Sequence, residues 1–505
     1  VNLNNFGVID GGITFGGGDD RLENRAGAVL ILSGQLDFGP GDDRMINAGT
    51  LALQEAGGPT TAVLDNLELF ENSGVIDLRG RGAGDRLIVP GAFAASGSSQ
   101  VALDVDLDGR GSPADVLQIN GAVTGTTRLL VNDLDPKGPG GLAPDGIVLV
   151  DAAAGSIAAG AFALANGPID KGAFVYDLYL RHDRRYVLAS RLAPRALQTP
   201  FLTTAVQTLW HQSLGDVSDE MSEDLSPTGG FGDQGVWARL TAGRNEFKAS
   251  RAQTVLGLTT TDDLGHDQSN FAVQGGLEHR FGGEAASWIL GFGLGYLESN
   301  GAFADGSSFG FSGPTASLYA GVRTGGLFAS MVAKADWSSL TYRTITGEAR
   351  SSAHVYGLSA SASYRVQARA WFVEPEASLA YASGRIDDFD MAKTPFEFTD
   401  GDSLRGRAGV RIGRVFPVGR GRAVLEPALT LAASKEFLGN NDVSIGEPVI
   451  ARVRDGSRWG WGEIGGDVKL TEPGSRLSAF VQAKYEGFSD VTSGFKFGAG
   501  VRLAF

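Results

Sequence analysis

The 505-residue sequence contains no cysteine. A chain without thiols forms no disulfide framework, and it can be cytosolic or cross an oxidising compartment without mispairing. It has no run of 18 apolar residues, which excludes a transmembrane helix but not strands that cross with alternate residues. A basic excess is also missing. The net charge is −15, whereas nucleic acid demands a cationic footprint. The first residues, Val1-Asn-Leu-Asn-Asn-Phe6, have neither the basic nor the apolar region of a secretory leader and read as the middle of a repeat. The chain is therefore expected to be the C-terminal part of a longer precursor. No nucleophile elbow, zinc spacing or phosphate loop occurs, so no cofactor, no metal and no catalytic residue is expected.

Glycine is abundant instead, at 74 residues, about twice the usual ~7%. The glycines sit at turns and inside apolar alternation, as repetitive β architectures require. In the first 90 residues, Phe15-Gly-Gly-Gly-Asp-Asp-Arg-Leu-Glu-Asn24 and Phe38-Gly-Pro-Gly-Asp-Asp-Arg-Met-Ile-Asn47 are near copies. Asn5-Phe-Gly-Val-Ile-Asp10 returns as Asn72-Ser-Gly-Val-Ile-Asp77. A period in the low twenties is one coil of a parallel β-helix, here expected to be right-handed. Stacked coils would align Asn24, Asn47 and Asn72 in an internal amide ladder. The Gly-Gly-Gly-Asp-Asp string is similar to calcium-binding β-roll repeats. Those come in tandem every nine residues, so turn residues with solvated carboxylates are the favoured reading. Strict repetition ends in 91–193, where Asp115–Gly121, Phe174–Leu180 and Arg185–Leu188 suit hairpins that close the open end of a stack.

Between Pro194 and Pro227 the period changes. Phe201, Leu209, Trp210, His211 and Leu214 belong to a segment of helical spacing, started at Pro200 and ended at Pro227-Thr-Gly-Gly230. A helix over 201–225 would be roughly 37 Å long, enough for the ~25 Å apolar band of a membrane barrel. A surface or interdomain helix is the alternative.

From 235 to 505 come twelve segments of period two. In the third, Trp288, Leu290, Phe292, Leu294 and Tyr296 share one face, and Gly291, Gly293 and Gly295 the other. In the fifth, Leu327, Met331 and Trp337 oppose Lys334 and Asp336. In the seventh, Trp371, Val373 and Leu379 oppose Glu374 and Glu376. In the eleventh, Leu477, Val481 and Tyr485 oppose Lys484. Arg239, Glu278, Glu426 and Glu463 take the same polar side. One lipid-facing and one wet face is the pattern of a transmembrane barrel. Short turns alternate with longer connections near 248–267, 299–308, 341–351, 386–402 and 436–457. If the N-terminal part lies outside, the helix has to pass through the pore. The fold class is thus mainly β: a right-handed parallel β-helix stub, a pore helix and a 12-stranded antiparallel transmembrane β-barrel.

Three motifs stand in order along the second half: Val236-Trp-Ala-Arg-Leu240, Trp459-Gly-Trp-Gly-Glu-Ile464 and Gly500-Val-Arg-Leu-Ala-Phe505. With the hairpins before them, they make the chain resemble the C-terminal part of an autotransporter of the type V secretion class. The parts are passenger β-helix coils (1–90), an autochaperone cap (91–193), a linker with the pore-spanning helix (194–230) and a translocator barrel (231–505).

The resemblance implies export and display of an N-terminal passenger whose folding the cap nucleates. It implies a Gram-negative outer-membrane location, with residues 1–190 on the cell surface and no enzyme activity. It further implies insertion by the barrel assembly machinery, which reads Phe497, Val501, Leu503 and Phe505. Periplasmic chaperones, outer-membrane lipid and lipopolysaccharide are the expected partners; nucleic acid is not, and a monomer is expected. Some members cut their passenger free at an Asn–Asn bond in the pore helix. Residues 194–230 contain no asparagine, so the passenger is expected to stay attached unless another protease acts. A porin-like diffusion channel with an appended β-domain, and an adhesin whose β-helix itself binds cells, are the alternatives. Of the five histidines, His266 beside Asp262, Asp263 and Asp267 is the best candidate for barrel catalysis, with a solvated loop the favoured reading. Asp387, Asp388, Asp390, Asp400 and Asp402 are likewise read as a hydrated surface loop.

Overall fold

The structure, a computed structural model, describes the chain apart from residues 55–56, 225–232, 284, 420–422, 457 and 473–475. It divides into two compact units. One is Val1–Ala193 with the short segments Ala252–Thr260 and Ala392–Thr394; the other is the remainder, from Pro194 to Phe505.

The first unit is a three-sided parallel solenoid of about five turns. One face stacks Asn2–Asn5, Arg21–Asn24, Arg44–Asn47, Leu69–Asn72, Ala92–Ala95 and Val123–Thr124. Strands of four residues or fewer suffice on this face because alternate side chains point into the core: Leu22, Met45, Phe70 and Phe93 are fully buried. The near-copied sequences sit in register, Asn24 over Asn47 over Asn72. Each asparagine Nδ2 donates to the next Oδ1, from Asn5 to Asn24 at 2.9 Å, Asn24 to Asn47 at 2.8 Å and Asn47 to Asn72 at 2.8 Å. The ladder then passes to hydroxyls, Ser99 and Thr127.

The repeated aspartates build a second ladder. Asp43 Oδ1 accepts the backbone N–H of Asp20 at 2.6 Å. Asp115 accepts those of Gly84, Asp85 and Asp104 at 2.9, 2.8 and 2.6 Å. Asp20, Asp43 and Asp115 are buried, whereas Asp19 and Asp42 are exposed, so the expectation of solvated carboxylates is corrected for the second aspartate of each pair only. A stack leaves corner N–H groups without strand partners, and these side chains satisfy them.

Parallel pairing also outlasts the sequence repeat. Val116–Ile119, expected in a cap hairpin, pairs in parallel with Arg86–Val89, and coil strands continue to Ile147–Asp151. The inward alternation persists where residue identity does not, so coils run past residue 90. Antiparallel capping is made by Ile169–Lys171, Phe174–Leu180 and Arg185–Leu192, the last of which also pairs antiparallel with Ile147–Asp151. Phe70, Phe93, Phe162 and Tyr186 form an aromatic column from coils to cap, with neighbouring centroids 5.3 to 6.4 Å apart.

The second unit is a closed antiparallel barrel of twelve strands. The first, Gln234–Phe247, pairs with the second, His266–Gly282, and with the last, Thr492–Ala504. Leu290 and Leu294 are 58% and 60% exposed on its outside, as are Trp288, Met331, Trp371 and Phe497. Soluble monomers rarely expose apolar patches beyond a few hundred Å², and this band runs from strand to strand around the barrel.

Two expected long loops are not loops. The strands run Ser287–Phe303, Ser308–Thr324, Leu327–Thr344 and Gly347–Tyr364, leaving only turns at 304–307 and 345–346. Phe303, Phe309, Phe311 and Tyr342 hold these extensions together from inside. The connections at 386–402 and 436–458 fold into a four-stranded sheet of Phe389–Met391, Thr394–Phe398, Asp442–Ile445 and Ala451–Arg454. Its apolar side buries Met391, Phe396, Val443 and Ile445.

Two measurements test the solenoid. Asn47→Ala leaves Asn24 Nδ2 and Asn72 Oδ1 without their partner and is expected to cost about 1–3 kcal/mol in chemical unfolding of the first unit. Burial pushes the Asp115 carboxyl up to about 7, against the pull of its backbone N–H donors. The folded state therefore holds this proton more tightly than the unfolded chain, whose carboxyl titrates near ~3.9. Stability of the unit is expected to fall as pH rises from about 4 to about 7, and Asp115→Asn to flatten that slope in unfolding curves taken across the range.

Candidate functional site: the filled lumen of the barrel

A short helix α1, Pro194–Leu197, leads into the long helix α2, Thr199–Asp224. Pro200 occupies the first turn, where a missing N–H costs nothing. At 26 residues, α2 is roughly 39 Å long. It begins two residues before the expected start. The stretch Pro227–Gly230, expected to end it, lies outside the described residues.

The helix runs inside the barrel, buried on most of its surface, with a half-buried face at His211, Gly215, Ser218 and Ser222 turned to a cavity. Phe201, Leu209, Trp210 and Leu214 are buried, and His211 is half-buried. Trp210 fits because position 357 is glycine: a Cβ there would stand 2.5 Å from the indole. Opposite, Gly293 leaves room for Trp237, whose Nε1 donates to Tyr319 Oη at 2.6 Å.

Polar bonds fix the helix from end to end. At its first turns Thr204 donates to the Asp455 carboxylate, and Gln207 Nε2 donates to the Gly401 carbonyl at 2.8 Å. Asn441 Nδ2 donates to Thr204 Oγ1 at 2.8 Å. These partners come from the folded long loops. Midway, His211 meets Ser403 Oγ at 2.8 Å, and Asn270 Nδ2 donates to Gln212 Oε1 at 2.7 Å.

One turn further lies Asp216, fully buried. Lys496 Nζ stands 2.8 Å and Arg239 Nε 3.4 Å from its carboxylate. Thr241 Oγ1 and Gln274 Nε2 donate to it at 2.9 and 3.2 Å. Arg239 also reaches Asp219 at 3.2 Å and lies over the Phe480 ring.

No Lys or Arg occurs between Arg195 and Arg239, whereas Asp216, Asp219 and Glu220 fall within one turn of one another in the C-terminal half of α2. Like charges three and four residues apart on a helix repel. The barrel wall supplies the missing cations.

The opposite wall carries an ion-pair belt. Arg407 joins Glu376 and Glu463 at 2.5 and 2.7 Å. Lys484 joins Glu463 and Glu486 at 2.8 and 3.0 Å. Arg411 joins Asp467 and Glu426 at 2.6 and 3.3 Å, and Arg365 joins Glu426 at 3.0 Å. A cavity of about 300 Å³ separates this belt from the helix.

All nine lumen residues expected from the sequence point inward: Arg239, Glu278, Lys334, Asp336, Glu374, Glu376, Glu426, Glu463 and Lys484. They do not all touch the helix. Arg239 holds Asp216, and Lys334 lies over the Trp210 ring while pairing with Asp336. Glu278 pairs with Arg502. The four other carboxylates and Lys484 neutralise wall residues instead. Arg365, Arg407 and Arg411 were not foreseen, although the inward parity of 407 and 411 was readable. Asn441 and Asp455 had no signal, because only the folded loops bring them to the helix.

Phe497, Val501, Leu503 and Phe505 face outward on the last strand. The loop histidine does not join its acids. His266 is buried among Phe201, Phe247, Phe303 and Phe309, and Asp267 turns out to pair with Arg244 at 2.7 Å. The acidic loop is partly engaged: Asp388 accepts the Phe398 N–H and Asp402 the Tyr381 hydroxyl.

Residues 236–483 match the autotransporter beta-domain family, and residues 68–178 match the autochaperone domain type 1. The chain carries an autotransporter translocator. Among curated relatives, an adhesin autotransporter, BmaC of Brucella suis biovar 1 (strain 1330), is 26% identical over 73% of this chain and 12% of its own length. The probable autotransporter YfaL of Escherichia coli (strain K12) is 25% identical over 68% of this chain and 30% of its own. The chain thus spans less than a third of either relative. The translocator domain of NalP from Neisseria meningitidis is similar at 16% identity and a TM-score of 0.44, over 60% of this chain and 98% of that one. Translocator barrels of this kind are outer-membrane proteins.

The autotransporter lumen makes a direct prediction. Asp216→Ala leaves Lys496 buried without its counter-charge and takes from Arg239 one of its two carboxylates, expected to cost about 3–5 kcal/mol. Urea unfolding of the detergent-folded barrel, followed by its gel mobility without heating, is the check.

Proposed function

We propose that this chain exports its own N-terminal passenger through the barrel, displays it at the cell surface, and retains α2 in the pore as the trailing end of that transit. The observation that carries this is the seating of α2. Its first turns are bonded to the long-loop end of the barrel through Asn441 and Asp455, and its later turns to Arg239 and Lys496 nearer the short turns. The chain therefore enters at the long-loop end and leaves where the first barrel strand begins. Short turns face the periplasm in such barrels, which supports an outside location for residues 1–190.

The solenoid supplies the drive. Each coil buries apolar side chains at roughly 25 cal/mol per Å², and a folded three-sided coil is too wide for a lumen filled by one helix. The cap, with its antiparallel strands and aromatic column, is the surface on which the first coil stacks. The barrel assembly machinery, periplasmic chaperones, outer-membrane lipid and lipopolysaccharide are the partners this reading requires, with the barrel acting as a monomer. We assign no enzyme activity to the barrel: the candidate His266 is packed among aromatic rings and its neighbour Asp267 is paired with Arg244. The absence of asparagine from 194–230 supports a passenger that stays attached. Adhesion by the passenger is the second reading, favoured by the name of the Brucella suis relative.

Deleting residues 199–224 is expected to raise single-channel conductance in planar bilayers severalfold. Protease added to intact cells is expected to remove residues 1–190 and spare the barrel. Unchanged conductance would refute the plug, and resistance of residues 1–190 would refute the surface location.

A further inference from the structure

A second cavity, of about 290 Å³, lies in the barrel unit. It opens between the loop after the first strand, which brings Lys248 and Arg251, and the segment before the tenth, which brings Arg454 and Arg458. Its apolar lining includes Phe247 and Trp459, whose rings stand 6.0 Å apart at 65°.

Four cations face a single lining carboxylate, and that carboxylate is engaged elsewhere. Asp455 accepts Thr204 and the side chain and backbone N–H of Asn441. Arg454 is paired with Asp442. Among the described residues, the Lys248 ammonium has Glu246 alone as an ion-pair partner, at 3.9 Å. Arg458 spends its Nε on the Leu438 carbonyl at 2.9 Å, which leaves its terminal nitrogens. Among the described residues, no carboxylate comes within ion-pairing distance of Arg251 or Arg458. The contrast with the lumen belt is direct: there every arginine is matched, here the positive charge is in excess. Guanidinium groups take phosphate or carboxylate through paired N–H donors, and a concave site with an apolar wall and a few convergent polar groups is the common form of a small-ligand site.

We propose that this pocket binds an anionic sugar, a hexose unit carrying phosphate or carboxylate, with the anion at Arg251 and Arg458 and the C–H face of the ring on Trp459. Two sources share this chemistry: the phosphorylated headgroup of a membrane-embedded lipopolysaccharide, and a soluble acidic glycan. Binding itself does not depend on the export reading, whereas the choice of source rests on the long-loop end lying outside.

The test uses the full chain in detergent micelles, with Trp459→Phe identifying the fluorescence change that belongs to the pocket. Glucose 6-phosphate is expected to saturate that change and glucose is not, with affinity falling as salt rises. The double variant Arg251→Gln/Arg458→Gln is expected to weaken binding by about tenfold or more. The control Arg343→Gln/Arg350→Gln, on exposed arginines outside the pocket, is expected to leave it unchanged, with gel mobility confirming that each barrel is folded. Equal binding of glucose, equal binding by the double variant, or a tetra-aspartate peptide binding as tightly as the sugar phosphate overturns the proposal. In phosphatidylethanolamine vesicles, a Trp459 signal induced by rough lipopolysaccharide alone assigns the lipid source. A signal in lipopolysaccharide-free vesicles only on adding the soluble sugar phosphate assigns the glycan, and no signal in either overturns the site.

Discussion

Ring closure is the constraint from which the rest of the barrel follows. The first strand bonds to the last from Gly235↔Ala504 to Phe247↔Thr492. A hydrocarbon layer offers no water to an unpaired N–H or C=O, and only a closed sheet leaves none. Once closed, the sheet has two faces in different solvents, and a period of two is forced on every strand. The outward residues can then be almost any apolar type. The inward ones are constrained by size as well as polarity, which is why Gly293 and Gly357 stand beside Trp237 and Trp210.

The closed wall creates a second problem, which the helix and the lumen charges solve together. A bore lined by carboxylates and guanidinium groups would be costly if dry and unpaired. The belt of Arg365, Arg407, Arg411 and Lys484 pairs strand with strand, so that half of the wall needs nothing from the helix. Lys496 and Arg239 are the exception, because both converge on Asp216 of α2. A segment whose only charges from 196 to 238 are acidic makes a poor free helix, because its like charges three and four residues apart repel. Helix and barrel cations therefore stabilise each other, and neither arrangement is sound alone.

What was legible in the sequence was what local period dictates. Alternation placed Lys334 and Asp336 inward and Leu290 and Leu294 outward, because a strand has only two faces. Near-copies at a spacing of 23 put Asn24 over Asn47, because stacked coils keep register. The failures lie where partners come from elsewhere in the chain. Gly- and Ser-rich sequence around 299–308 reads as a loop, yet Phe303, Phe309 and Tyr342 give the strands a reason to continue. Asp43 reads as a solvated turn residue, and only the neighbouring coil reveals the N–H that its carboxylate meets. Asn441 reaches α2 because two distant loops build one sheet, a pairing that no local pattern encodes.

The two units manage exposed strand edges in opposite ways, and the difference bears on how a translocator and its cargo divide their labour. The barrel abolishes its edges by closing, so its size is set once and its bore is fixed. The solenoid stacks its edges, so each coil offers the next a row of N–H and C=O groups together with one asparagine amide. In the ladder the donor lies on the N-terminal coil and the acceptor on the C-terminal one, at each of the three Asn–Asn steps. A coil already in place therefore presents an amide oxygen to the coil N-terminal to it. A chain drawn out C-terminal end first meets those acceptors in the order in which it emerges. Stacking of this kind is stepwise and nearest-neighbour, so on the export proposed above each coil would contribute its own increment against return.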